Sequence, residues 1–194
     1  GLVFVALLGS MAAIAFWITR IEDRSRHQLA AAMAGQVAVR IEDFLSDRFR
    51  AVEQFGRDIA AAPDFSESWY RVRAAALHHA LPGLQALNWV DGAGVIAWVT
   101  PEEGNPGVVG ARLFEHPVVA PFITAASEQD GFRTTFPIPL LQGGQGFVGY
   151  LRVTKDGRTL GYLNVVFRFD ALTERVFPAG IADVYGVRLT DGDR

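Results

Sequence analysis

Three β-type runs crowd the stretch between residues 133 and 169, and the shortness of their connections constrains the fold more than any other feature. Residues 133–141, 147–153 and 160–169 are rich in β-branched and aromatic side chains, and only QGGQG (142–146) and KDGR (155–158) come between the main blocks. A parallel return needs a crossover of a dozen or more residues, so these runs must be antiparallel neighbours. Two more runs, LQALNWV (84–90) and VIAWVT (95–100), flank Asp91-Gly92-Ala93-Gly94, a hairpin signal. A glycine- and proline-rich loop over 101–117 and a short helical pattern over 118–129, with Pro121 near its first turn, join the two groups. Pro137 and Pro139 lack the N–H that a central ladder needs, which puts the 133–141 run at an edge or leaves it paired on one side. A last short helix after Asp170 and a final strand over 184–189 complete the expectation.

Helices precede the strands. Residues 19–62 contain no proline, and Met33, Val37, Ile41, Phe44, Leu45, Phe49, Val52, Phe55 and Ile59 advance by three or four positions each time. That period predicts one long amphipathic stalk helix over 20–62. Its stripe has two possible covers, the chain's own distal domain or the same helix of a second protomer. Gly35 and Gly56 mark weak points or close contacts on it. Pro63 ends the helix, and Asp64 or Ser66 can cap the next, which Pro82-Gly83 stops. The order is α+β: helices covering one face of a five-stranded antiparallel sheet.

Residues 2–18 (LVFVALLGSMAAIAFWI) carry no charge. At 1.5 Å per residue they extend roughly 25 Å, slightly less than a ~30 Å hydrocarbon core. Because the sequence opens on Gly1, part of the span and its flank are expected to lie upstream. With Trp17 and Arg20 at its end, the run predicts a transmembrane helix over 1–19 and hence a lipid-bilayer partner. The competing readings are a cleaved signal peptide and a buried soluble helix. Arg20, Arg24 and Arg26 alone would favour a cytoplasmic C-terminal side, but long folded domains translocate largely regardless of such charges. The expectation is a single-pass inner-membrane protein with its C-terminal domain in the periplasm.

Composition removes several function classes. There is no cysteine, which excludes a disulfide framework and a thiolate metal site. Net charge is −3 with signs mixed, unlike the basic stripe of a nucleic-acid binder. His78 and His79 are adjacent and point about 100° apart on a helix, unlike an i, i+4 metal pair. His27 and His116 have no carboxylate at ligand-like spacing. No nucleophile elbow, P-loop or zinc motif occurs, so no metal, cofactor or catalytic residue is expected and the chain reads as a non-enzyme.

The order helix, two strands, helical crossover, three strands resembles that of PAS-like extracellular sensor domains, including the Cache group. LPGLQALNWV, residues 134–155 and above all GYLNVVFRFDALTERVF (161–177) are similar to the CHASE domain of membrane sensor kinases and cyclases. The resemblance covers roughly residues 80–190 and implies a CHASE-like domain over 63–194. The crossover is shorter than in plant cytokinin receptors, and QGGQG replaces a charged or histidine-bearing turn.

The resemblance implies a ligand on the sheet face, between the last strands and the crossover. Trp89, Thr135, Tyr150, Arg152 and Asn164 are the ligand-binding candidates, Tyr150 standing where CHASE domains place a ligand-proximal threonine. Each has a plainer reading: aromatic residues usually fill cores, and strand arginines such as Arg133, Arg152 and Arg168 are usually solvated. Parity does not tell which face of 133–141 meets the pocket.

Two functions fit these features. One is a membrane-anchored extracytoplasmic sensor that binds a small molecule and relays through the stalk, as a homodimer along that helix. The other is a non-catalytic, single-span accessory subunit docked on unlike membrane subunits, for example in a photosynthetic reaction centre–light-harvesting complex.

Overall fold

A computed structural model describes the backbone of residues 2–176 and the side chains of residues 28–176. The strand expected over 184–189 lies outside the described residues, as do the side chains of the predicted span over 1–19. Among the described residues no helix is long and apolar enough to cross a membrane. The chain divides into two compact units, Gly1–Asp43 and Phe44–Arg194.

The first unit is helical, formed by α1 (Leu2–Ala61), and exposes Leu29 and Val39. The last turns of α1 belong to the second unit, where Val52, Phe55 and Ile59 of the amphipathic stripe are buried. They lie on the chain's own sheet: a Cβ on Gly56 would stand 3.2 Å from Leu151 and 3.6 Å from Val153. Glycine there lets the helix backbone approach the strands. This part of the stripe is therefore covered within one chain.

Helix α2 (Glu67–Ala80) starts where Ser66 accepts from the Trp69 N–H at 3.4 Å, and it stops before Pro82. It buries Tyr70 and Ala74, and the Tyr70 hydroxyl donates to Leu87 O at 2.9 Å.

The sheet contains β1 (Leu84–Asp91), β2 (Ile96–Thr100), β3 (Arg133–Thr134), β4 (Ile138–Pro139), β5 (Gln145–Lys155) and β6 (Arg158–Arg168). Its order is β2-β1-β6-β5-β3, with β4 also on β5, and every pairing is antiparallel. In the β1–β2 turn Asp91 Oδ1 accepts from the N–H groups of Ala93 and Val95, both at 2.9 Å. Gly94 closes that turn at φ 81°, where a Cβ would strike the Phe114 ring.

Among the described residues the sheet has six strands rather than the expected five, because the 133–141 run is broken. Thr135 N–H donates to Val148 O at 2.9 Å, and Val148 N–H donates not to a main-chain carbonyl but to the Thr135 hydroxyl at 3.0 Å. Pairing resumes at Ile138↔Gly146, so Phe136 and Pro137 stand opposite Phe147 alone. This is a bulge, placed where Pro137 has no N–H to offer.

Two layers cover the sheet. Leu87, Trp89, Leu163, Val165 and Phe167 alternate onto the face packed by α1 and α2. Ala86, Val90, Val148, Tyr150, Tyr162 and Val166 point the other way, beneath the crossover, which contributes Val108, Leu113 of a short 3-10 turn (Leu113–Glu115), and Ile123 and Ala126 of α3 (Ala120–Glu128). After β6 the chain turns into α4 (Phe169–Val176), with Asp170 Oδ1 accepting from Ala171 N–H at 2.8 Å.

Candidate functional site

Antiparallel register places one side chain from each central strand in a single row on the crossover face. Asn88 of β1 stands opposite Asn164 of β6, and Asn164 stands opposite Tyr150 of β5. All three are buried, at 0%, 3% and 1% exposure. A polar row this deep must hydrogen-bond internally or to something bound. Asn88 Nδ2 donates to Asn164 Oδ1 at 2.6 Å, whereas Asn88 Oδ1 is buried without a partner. Burial holds the Tyr150 phenol well above its ordinary range, opposed in part by a hydrogen bond from the Asn164 side chain, so the ring carries its proton at physiological pH.

Above the row is a chamber of about 30 Å³. Its floor is Asn88, Asn164, Tyr150, Val148 and Val166, its walls come from Ile96, Leu113, His116 and Val119, and residues 138–142 close its remaining side. That volume holds about two water molecules. A larger open groove of about 790 Å³ lies at the end of α1, between Phe55, Ala62 and Trp69, but no buried polar groups converge on it.

The five residues singled out from sequence part company here. Tyr150 and Asn164 share the chamber floor. Arg152 is on the same face one row along, with Tyr162 opposite, and its guanidinium donates to Ser127 O at 2.5 Å and to Asp130 at 2.9 Å. It fastens the end of α3 to the sheet. Thr135 is buried beside the chamber with its hydroxyl committed to Val148 N–H. Trp89 lies on the opposite face, in an aromatic cluster with Phe65 (ring centroids 4.8 Å apart), Trp98 (6.1 Å) and Tyr70 (6.3 Å). Of the five, only Tyr150 and Asn164 line the chamber. Asn88 was missed; its signal is an amide inside the otherwise apolar run ALNWV (86–90). Among the described residues no cluster of His, Cys, Asp and Glu could hold a metal ion.

No protein-family model matches the chain, and no curated protein sequence does. Solved structures do. The ligand-binding domain of the Pseudomonas aeruginosa amino-acid chemoreceptor PctC, in complex with GABA, superposes with a TM-score of 0.63 at 17% identity, over 79% of this chain and 68% of that one. The ligand-binding domain of a Pseudomonas fluorescens chemoreceptor in complex with L-serine gives 0.58 at 16% identity, over 77% and 63%. An extracellular ligand-binding receptor from Desulfohalobium retbaense gives 0.61 at 15% identity, over 74% of this chain but only 26% of that one. The chain thus spans between about a quarter and two thirds of these proteins. The fold of this chain is that of these ligand-binding domains.

Proposed function

We propose that this chain is the extracytoplasmic input domain of a membrane-anchored signal-transduction protein, and that it binds a small molecule in the chamber floored by Asn88, Asn164 and Tyr150. The observation that carries this reading is the buried Asn88 carbonyl oxygen without a partner at the floor of that chamber. An orphaned acceptor in a core costs free energy, and a bound ligand is one way to recover it. The solved neighbours hold GABA and L-serine in domains of this fold, which supports a small molecule as the class of ligand here.

In this reading residues 63–194 form a CHASE-type periplasmic domain, the uncharged run over 2–18 anchors the chain in the inner membrane, and α1 carries the response. A ligand shifts the equilibrium only by its differential affinity for two states, so residues 138–142, which close the chamber, are the natural element to differ between them. The domain does no chemistry in this proposal.

Thermal unfolding of the detergent-purified chain against a small-molecule library tests the binding claim. At least one compound should raise Tm, with the shift lost in Asn164→Leu and kept in the distant surface variant Arg57→Ala. An empty screen, or shifts indifferent to Asn164, would overturn it. Topology has its own test: the chain lacks cysteine, so Thr154→Cys, at an exposed position, supplies one label site. A membrane-impermeant maleimide should label it from the periplasmic side; protection until the inner membrane is broken would sink the extracytoplasmic placement.

A further inference from the structure

Among the described residues the chamber is lined by hydrogen-bonding groups and hydrocarbon, and no Asp, Glu, Lys or Arg lines it. The arginines around the floor on this sheet face are already committed, Arg168 to Asp170 at 3.1 Å. Arg133, opposite Tyr150, donates to Phe132 O at 2.7 Å and to Gln129, and Arg152 is held by Ser127 O and Asp130. At the rim, His116 Nδ1 accepts from Val118 N–H at 3.3 Å, which leaves that nitrogen without a proton. A carboxylate or ammonium entering here would lose its water and meet no counter-charge, a loss that apolar walls such as Leu113, Val119 and Ile138 cannot offset.

The open valences on the floor are specific. Asn88 uses one of its two amide N–H groups on Asn164, and its carbonyl oxygen, an acceptor, has no partner. Tyr150 is protonated and offers a hydroxyl, a donor. One acceptor and one donor, on strands separated by β6, match a ligand that carries an N–H and a carbonyl on one carbon.

Resting on the sensor reading above, we infer that the chamber takes a small uncharged carboxamide, its N–H on Asn88 Oδ1 and its carbonyl on the Tyr150 hydroxyl, in preference to an amino-acid zwitterion or a carboxylate. With space for about two waters, the chamber admits little more than the amide group itself.

Acetamide, acetate and glycine test this, because they are close in size and differ in charge. Each is titrated to about 100 mM, since so small a ligand binds weakly. Binding is followed by thermal shift and by ligand-observed NMR, with all three probes in the same buffer. Acetamide should bind about tenfold or more tighter than the other two. The preference should vanish in Asn88→Leu, and Tyr150→Phe, which removes a single oxygen and keeps the ring, should weaken acetamide about threefold or more. Acetate or glycine binding equally well, acetamide binding unchanged by either variant, or no acetamide binding would each overturn the inference. The two readings fail separately: binding of glycine or acetate that Asn88→Leu removes, or a library compound that binds while acetamide does not, sinks the carboxamide class and keeps the sensor. A chamber empty to the probes and the library alike sinks both.

Discussion

Asn88 and Asn164 face each other across two central strands, a position where apolar residues would pack without loss. Their retention as amides is a cost to the fold, and its size can be measured. Asn88→Leu deprives Asn164 Oδ1 of its donor and should destabilise the domain by about 1–3 kcal/mol, the penalty for a buried polar group left unpaired. Asn164→Leu should cost a similar amount. The double variant removes both partners, and urea unfolding should show it less destabilised than the sum of the singles by about 1 kcal/mol or more. Additive losses would mean that the two amides do not act as a pair. Sequence made half of this visible. Tyr150 and Asn164 stand out as polar residues within apolar strands, but Asn88 and Trp89 are neighbours and so must point to opposite faces. Choosing the indole meant choosing the face under the helices, and only the register Asn88↔Asn164 reveals which of the two belongs with the chamber. Gly161 shows the same dependence on packing: a Cβ there would lie 2.6 Å from the Trp89 ring and 2.3 Å from Val90 O. Nothing in TLGYLNV announces that contact.

Elements defined by local signals were legible, and those defined by distant partners were not. The Asp91–Gly94 turn, the Ser66 cap and the KDGR turn are written in a few consecutive residues, and each forms where the sequence places it. The edge strand was legible as an edge through its prolines, but not as two pieces, because the break depends on Thr135 reaching Val148 in β5. Helix α3 shows both sides: its place was legible over 118–129, with Pro121 in its first turn, but what fixes its end was not. Its nine residues carry no side-chain cap at the start, and its end is held by Arg152 from a strand more than twenty residues away. The hydrogen bond to Ser127 O, rather than the ion pair with Asp130, should carry the effect, since Asp130 is 97% exposed and such pairs contribute little. Arg152→Ala should therefore speed amide exchange over residues 125–131 and cost about 1–2 kcal/mol, while Asp130→Asn should stay within about 0.5 kcal/mol of the parent. Hydrogen exchange read by mass spectrometry separates the two. Equal effects would show that the carboxylate, and not the carbonyl, fastens the helix.

At the scale of the whole molecule, the alternation of strand residues explains why one sheet serves two cores of different character. The face under α1 and α2 is mainly aromatic and aliphatic, with the Tyr70 hydroxyl deep among its side chains, and the face under the crossover carries the polar row ending in Tyr150. Both hydroxyls titrate above their ordinary range. Burial is the main cause for each, opposed weakly by the Arg71 charge at Tyr70 and by the Asn164 hydrogen bond at Tyr150. Tyr162 moves in the same direction, again chiefly through burial. The consequence for stability has a definite sign. Below about pH 10 these phenols are protonated in both folded and unfolded chains, and their contribution is fully present. Above it the unfolded chain releases the protons first, so stability falls as pH rises from about 10 toward the folded-state values, by about 1.4 kcal/mol per pH unit for each of Tyr70 and Tyr150 and by less for Tyr162. Urea midpoints should thus be level between about pH 8 and 9 and drop steeply beyond about 10. Tyr70→Phe is expected to start lower at neutral pH, by about 1 kcal/mol for the lost bond to Leu87 O, yet to lose stability less steeply in alkali by one tyrosine's share. A slope unchanged by Tyr70→Phe would show that this hydroxyl reaches solvent, and that the core beneath α2 is open rather than closed.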